Sequence, residues 1–159
     1  PNGLAFSPDE SRLYVTDTSA AMRTDGSGNH HIVAFDVIGD QQLANPRVFA
    51  VVDPGLADGL RVDVHGFVYT SSLDSVQVYH PDGTRVGRIA VPEKVGNLCF
   101  GGPERDELVS VWNDQIKMRV RIGGNGPPLV YLHPAAGLYW VVLRQGEERM
   151  ARKVVLVHP

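Results

Sequence analysis

Asp58 and Asn2 are the two residues whose types and settings could do chemistry. Asp58 stands in Gly55-Leu56-Ala57-Asp58-Gly59-Leu60, a glycine-flanked turn that opens a strand. Leu60, Val62 and Val64 then alternate with Arg61 and Asp63, and His65-Gly66 turns the chain into a second strand running to Thr70. An aspartate at the mouth of such a hairpin can point into a shared cavity. A carboxylate there can hold a hard cation or accept a proton from water. Asn2 offers a carboxamide oxygen in a matching place, Pro1-Asn2-Gly3-Leu4. Asn-Gly and Asp-Gly are also common hairpin residues that serve only backbone geometry. The two settings therefore need the rest of the chain to give them meaning.

The elements that would position these residues are strands. Residues 1–6, Leu13-Tyr14-Val15-Thr16, 31–37 and 46–52 read as four short strands. Ser7-Pro8-Asp9-Glu10 is turn chemistry, residues 18–29 are a small, polar loop, and Asp53-Pro54-Gly55 is a further turn. The layout repeats over 59–64, 67–70, 75–79 and 86–91, and begins a third time at Asn97-Leu98-Cys99-Phe100, with strands at 108–112 and 115–120. Repeats of roughly 40–50 residues made of four strands are the signature of propeller blades. Residues 1–120 show no 3.6-residue apolar period, so the expected class is all-β.

The bulk composition is that of a globular domain. The chain has 159 residues, is 43% hydrophobic and has a net charge of −3. The mild negative charge and the lack of a basic stripe argue against a nucleic-acid partner. No apolar run approaches the roughly 18 residues of a membrane span. With no signal-like start, a cytoplasmic location is expected. The single cysteine, Cys99, has no partner for an internal disulfide. The chain opens at Pro1, without a Met and inside a motif, so a preceding segment is expected.

Composition changes near residue 121. Residues 1–120 hold 10 Lys/Arg against 16 Asp/Glu, whereas residues 121–159 hold 5 against 2, and all 13 Ser and Thr precede residue 121. Gly123-Gly124-Asn125-Gly126-Pro127-Pro128 is a breaker cluster. After it, 129–132 reads as a strand, 135–143 as helix or strand, 147–153 as helix-compatible and 154–157 as a last strand. The expected division is 1–120 and 121–159, with a short α/β-like tail that leaves the blade pattern.

Read in order, Pro1-Asn2-Gly3-Leu4-Ala5-Phe6-Ser7-Pro8-Asp9, Leu13-Tyr14-Val15-Thr16-Asp17-Thr18, Asp58-Gly59-Leu60-Arg61-Val62-Asp63 and Asn97-Leu98-Cys99-Phe100-Gly101-Gly102 resemble the C-terminal half of the gluconolactonase / senescence-marker-protein (regucalcin) family. The resemblance covers residues 1 to about 120. It implies about three blades of a six-bladed β-propeller with one divalent cation, Ca²⁺ or Zn²⁺, in the channel. It further implies hydrolysis of sugar lactones or related esters. Asn2 and Asp58 match the family's metal ligands, and Asp58 its general base. Ala57 departs from the Pro that precedes this Asp in the family. The resemblance places a glutamate ligand, another channel asparagine and the strand closing the third blade upstream of Pro1. In the tail, Gly123 to Pro134 resembles the early strand and oxyanion-hole loop of an α/β-hydrolase. No Gly-x-Ser-x-Gly elbow follows it, and no Ser, Thr or Cys lies after residue 110.

Other chemical candidates have plainer readings. Asp17, Asp36 and Asp63 sit at or in strands and suit turns or exposed faces. Asp17 ends a strand that could face the channel. His30-His31 invites a metal reading, but neighbours in a strand point to opposite faces. His65 is in a turn, Cys99 reads as a small hydrophobe, Trp112 and Trp140 as packing residues, and 149–153 as a solvated face. Three functions are expected from this sequence. The first is a metal-dependent lactone hydrolase acting on a small-molecule lactone or ester. The second is a non-catalytic propeller module, and the third a fusion with a truncated hydrolase. Open sheet faces and edges would favour self-association.

Overall fold

The computed structural model describes residues 1–39, 41–91, 94–102 and 107–109 in full, and further along the chain the backbones of the strands within 110–156. Three four-stranded antiparallel sheets follow one another. β1 (Leu4–Phe6), β2 (Arg12–Asp17), β3 (His31–Ile38) and β4 (Gln42–Val51) form the first, in chain order. β5 (Leu60–Val62), β6 (Val68–Ser71), β7 (Ser75–Tyr79) and β8 (Arg85–Ala90) form the second. β9 (Asn97–Gly101), β10 (Glu107–Trp112), β11 (Gln115–Arg121) and β12 (Val130–Leu132) form the third. The first strands lie side by side at the centre, β1 against β5 and β5 against β9. This is part of a β-propeller, as expected from the repeat.

Side chains of the turns fold the sheets locally. Asp9 accepts from Ser11 N and from the Ser7 and Ser11 hydroxyls, which holds its carboxyl low, at about 2. That turn also sets Glu10 in the left-handed region, at φ 56°. Asp63 Oδ1 accepts from His65 N and Phe67 N, both at 2.9 Å. Gly66 completes this turn at φ 85°. Asp63 is therefore a turn residue, and Tyr69 donates to its other oxygen at 3.2 Å. Burial and the Asp63 charge together push the Tyr69 phenol well above its usual range.

Apolar residues on facing sheets fill the two interfaces. Tyr14, Ile32, Ala34 and Ala50 of the first sheet pack on Leu60, Val68 and Tyr79 of the second. Tyr69, Val76 and Ile89 of the second pack on Leu98 and Leu108 of the third. Phe49 joins the first interface edge-on to Tyr14, with ring centroids 4.8 Å apart. Burying each of these Leu, Ile or Val side chains is worth about 1.5–3 kcal/mol.

A buried polar knot fastens the link between the first two sheets. Tyr79 donates to Val51 O at 3.1 Å and to Gln77 Oε1 at 2.6 Å, while Gln77 Nε2 donates to Asp53 O at 3.0 Å. Burial pushes the Tyr79 phenol up to about 12, with Arg85 acting in the opposite sense.

The tail differs from its expected form. Residues 130–132 do not leave the blade pattern: β12 pairs with β11 from Val120↔Val130 to Met118↔Leu132. The third sheet thus takes its outer strand from the tail. The Val-Tyr-Leu sequence has strand character, and β11 offers it an open edge. Of the helix-compatible 147–153, residues 148–153 lie in β14 (Glu148–Leu156), paired with β13 (Gly137–Gln145) over nine register positions. Cross-strand pairing overrides a helical propensity of a few tenths of a kcal/mol per residue. β13 lies near β8. The breaker cluster 123–128 and His133-Pro134, which carry most of the hydrolase resemblance, lie outside the described residues.

Candidate metal-binding and catalytic site

Asn2 and Asp58 occupy the same place in successive sheets, two residues before the first apolar residue of the central strand. The two places are brought together by backbone packing. A Cβ added to Gly3 would overlap the carbonyl oxygen of Asp58 and crowd Gly59 Cα and Leu60 N, each at 3.1 Å. A Cβ on Gly59 would overlap the side chain of Asn97. Neither glycine has a positive φ. Both are required because the central strands approach closely, and hairpin conformation is not the reason.

Hydrogen bonds fix both turns. Thr16, fully buried at the end of β2, accepts Gly3 N on its hydroxyl at 2.7 Å and donates to Asp58 O at 3.2 Å. Thr16 O accepts Asn2 N at 3.1 Å. On the other side, Asp58 N donates to the Ser71 hydroxyl at 2.9 Å and Gly59 N donates to Gly96 O at 3.0 Å. The side chains are left available. Asn2 is exposed, Asp58 is half-buried, and among the described residues neither side chain has a hydrogen-bond partner. Two oxygen donors on fixed backbone suit a hard divalent cation, with the remaining coordination left to other oxygens or water. No cluster of three or more His, Cys, Asp or Glu able to hold a metal occurs among the described residues.

The neighbouring candidates have structural work. Asp17 accepts Asn29 Nδ2 and Ser19 N, both at 3.0 Å. These bonds, that of Asn29 first, hold its carboxyl low, at about 2. They close the base of the 18–29 loop, where Asn29 N also donates to Ser19 Oγ at 2.9 Å. The loop contains a short 3-10 turn, Ser19–Met22, and its residues 23–27 are exposed. Beside Asn2, Pro1, residues 15–19, Met22, Val33, Phe35 and Leu43 line an open cleft of about 710 Å³. Asp36 pairs with Arg47 at 2.8 Å. His30 and His31 do not point apart as strand neighbours would. His30 precedes β3, bonds Val52 O at 2.7 Å, and its ring stacks 6.0 Å from that of His31. Cys99 is free and exposed.

Residues 1–111 match the family described as SMP-30/Gluconolactonase/LRE-like region. The chain belongs to this family. Among its relatives, lactonohydrolase oryH of Aspergillus oryzae is 32% identical over 145 residues, covering 81% of this chain and 31% of that protein. Pentonolactonase XacC of Haloferax volcanii is 38% identical over 112 residues, covering 68% and 36%. A gluconolactonase from Xanthomonas campestris superposes with a TM-score of 0.59 at 40% identity, over 69% of this chain and 34% of that one. Regucalcin from Agrobacterium tumefaciens, a calcium-binding protein, shares the fold at 23% identity and a TM-score of 0.58. The chain therefore spans about a third of the length of the family members it matches.

Within this SMP-30/gluconolactonase member, the sequence pointed to Asn2 and Asp58 but missed Thr16 and Ser71. Both are hydroxyls at the end of a second strand, facing the turn that carries a candidate donor. Thr16 was visible inside Leu13-Tyr14-Val15-Thr16, but only pairing register relates it to Ser71. Among the described residues no helix is long and apolar enough to cross a membrane.

Proposed function

We propose that this chain supplies part of the active site of a metal-dependent sugar-lactone hydrolase, with Asn2 and Asp58 as ligands and Asp58 as general base. The observation that supports it is the pair of turns, fastened to each other across a sheet interface with both side chains left free. The chemistry of the donor set favours Ca²⁺, with Zn²⁺ as the alternative. The cation, when bound, polarises the lactone carbonyl and stabilises charge developing on its oxygen. Asn2 orients through its carboxamide oxygen. Asp58 takes a proton from the water that attacks the carbonyl carbon. The ring C–O bond then breaks, and the departing oxygen takes up a proton to become the hydroxyl of the open-chain acid.

The substrate class is a small lactone or ester, as for the lactonases that the chain resembles. The division near residue 120 belongs to the same reading. Residues 1–120 supply the lactonase-like sheets, and 121–159 add an edge strand and a hairpin. Support comes from the family match ending at residue 111 and the charge change near 121. We also propose a cytoplasmic location and self-association through the open face of the first sheet, where Leu4, Phe6, Leu43 and Val48 are exposed.

The test is thermal unfolding of the purified chain with Ca²⁺ or Zn²⁺, alongside proton release from sugar lactones. Metal should raise the melting temperature of the parent and leave Asp58→Ala unmoved. Lactone hydrolysis should be lost in the same variant. A parent chain that gains no stability from either ion sinks the metal-dependent reading and favours a non-catalytic propeller module.

A further inference from the structure

We infer that Thr16 is a positioning residue that sets the spacing between the Asn2 and Asp58 turns, and that Ser71 is its counterpart in fixing the Asp58 turn on its own sheet, so that the two hydroxyls preorganise the two donors. The metal part of this inference rests on the proposed function. The spacing part does not.

The antiparallel ladder alone would send Gly3 N to the carbonyl of Thr16. That carbonyl is taken by Asn2 N, and the Thr16 hydroxyl receives Gly3 N instead. Its one proton lies between two carbonyl oxygens, Gly3 O at 3.3 Å and, slightly closer, Asp58 O of the next sheet at 3.2 Å. A single buried hydroxyl thus ties the backbone beside one donor to the backbone of the other. Ser71, also fully buried, holds the second turn from its own sheet, where its hydroxyl takes Asp58 N.

The plainer view is that Thr and Ser are ordinary strand residues whose buried hydroxyls found partners. Register argues against it. Leu4 pairs with Val15, Leu60 with Thr70 and Leu98 with Ser110. One step further along the second strand stand Thr16, Ser71 and Val111. Two residues before each leucine stand Asn2, Asp58 and Gly96. The hydroxyl is present in the two sheets with a donor side chain and replaced by valine in the sheet with glycine. The adjacent register position, Val15, Thr70 and Ser110, shows no such match.

The experiment uses the full chain, with Thr16→Val as a near-isosteric loss of the hydroxyl and Thr16→Ser as its restoration. NMR reads the spacing without metal, through Gly3 amide exchange and the Gly3–Gly59 Hα contact. Terbium luminescence reads binding, with Tb³⁺ as the oxygen-seeking probe. In Thr16→Val, Gly3 exchange should accelerate at least about tenfold and the Hα contact weaken. Tb³⁺ affinity should fall about tenfold, the low end of what loss of an outer-shell partner costs. Thr16→Ser should restore all three. Tyr79→Phe, which removes a buried hydroxyl elsewhere, should lower stability and leave Tb³⁺ affinity unchanged. If Thr16→Val fails to fold, Ser71→Ala takes its place, with Asp58 N as the amide monitored. Unchanged Gly3 protection and Hα contact overturn the inference, whatever the metal does. A parent that binds no Tb³⁺ counts against the proposed function, and the NMR readouts still decide the spacing.

Discussion

The first and second sheets have the same four-strand order but different surroundings. The second is packed on both faces, and all of β6 and most of β7 are buried. The first has one covered face, formed by Tyr14, Ile32, Ala34 and Ala50, and one open face. On the open side Leu4, Phe6, Leu43 and Val48 are each about half exposed or more. Both faces of the first sheet are nevertheless apolar, so local sequence specifies a strand with two apolar sides whether or not a neighbour covers both. This exposed apolar patch is the surface that the proposed self-association would cover.

Removing one side chain from the covered interface should show the largest asymmetry. Leu60→Ala should lose about 2–5 kcal/mol in urea denaturation, because a fully buried leucine leaves a cavity between two rigid sheets. Val33→Ala, on the open cleft, should lose well under half of that. Equal losses would mean that the open face is covered in solution.

Next in size is the polar knot behind that interface. Tyr79→Phe should cost about 1–3 kcal/mol, since it leaves the Val51 carbonyl without its donor. The phenol also gives a pH signature. Its folded value is raised from 10.0 to about 12, so the stability it contributes is complete below pH 10 and is lost as pH rises toward 12. Alkaline melts of the parent should therefore fall more steeply over that window than those of Tyr79→Phe.

Surface changes on the open face should act on association more than on folding. Leu4→Lys with Phe6→Lys should shift the mass seen by light scattering toward monomer and change folding stability by about 0.5 kcal/mol or less. A parent that is already a clean monomer would remove the case for self-association.

The smallest effect is expected at Asp17. Its carboxyl is held at about 2, so its stabilising contribution is present above the unfolded value of 3.8 and is lost as pH falls through about 2. Asp17→Asn should flatten the acid limb of a melting-temperature profile between those values, lowering the melting temperature slightly at neutral pH and leaving it unchanged below about pH 2. The group is largely solvated, which keeps the effect small.

Much of this was legible in the sequence, for physical reasons. The period-2 alternation and the Pro-Asp-Gly type turns locate ten of the eleven strands through β11 within a few residues, because strand and turn chemistry are local. β4 begins at Gln42, earlier than the expected 46, because pairing with β3 extends it past the left-handed Asn45. Asn2-Gly3 and Asp58-Gly59 stood out as turns, but the reason for their glycines is contact between sheets far apart in sequence. Thr16 and Ser71 are related only by register across separate repeats. In the tail the strand character of 129–132 and 154–157 is legible from their own residues, whereas the pairing of β12 with β11 and the strand conformation of 148–153 depend on partners that no local pattern announces.

The closed base of the 18–29 loop has a further use. Asp17, Ser19 and Asn29 hold the two ends together, while residues 23–27 stand free. Strand geometry on either side is thereby insulated from the length of the tip. The tip can serve as a graft point, where a foreign peptide of several residues could be displayed between β2 and β3 with the sheets undisturbed.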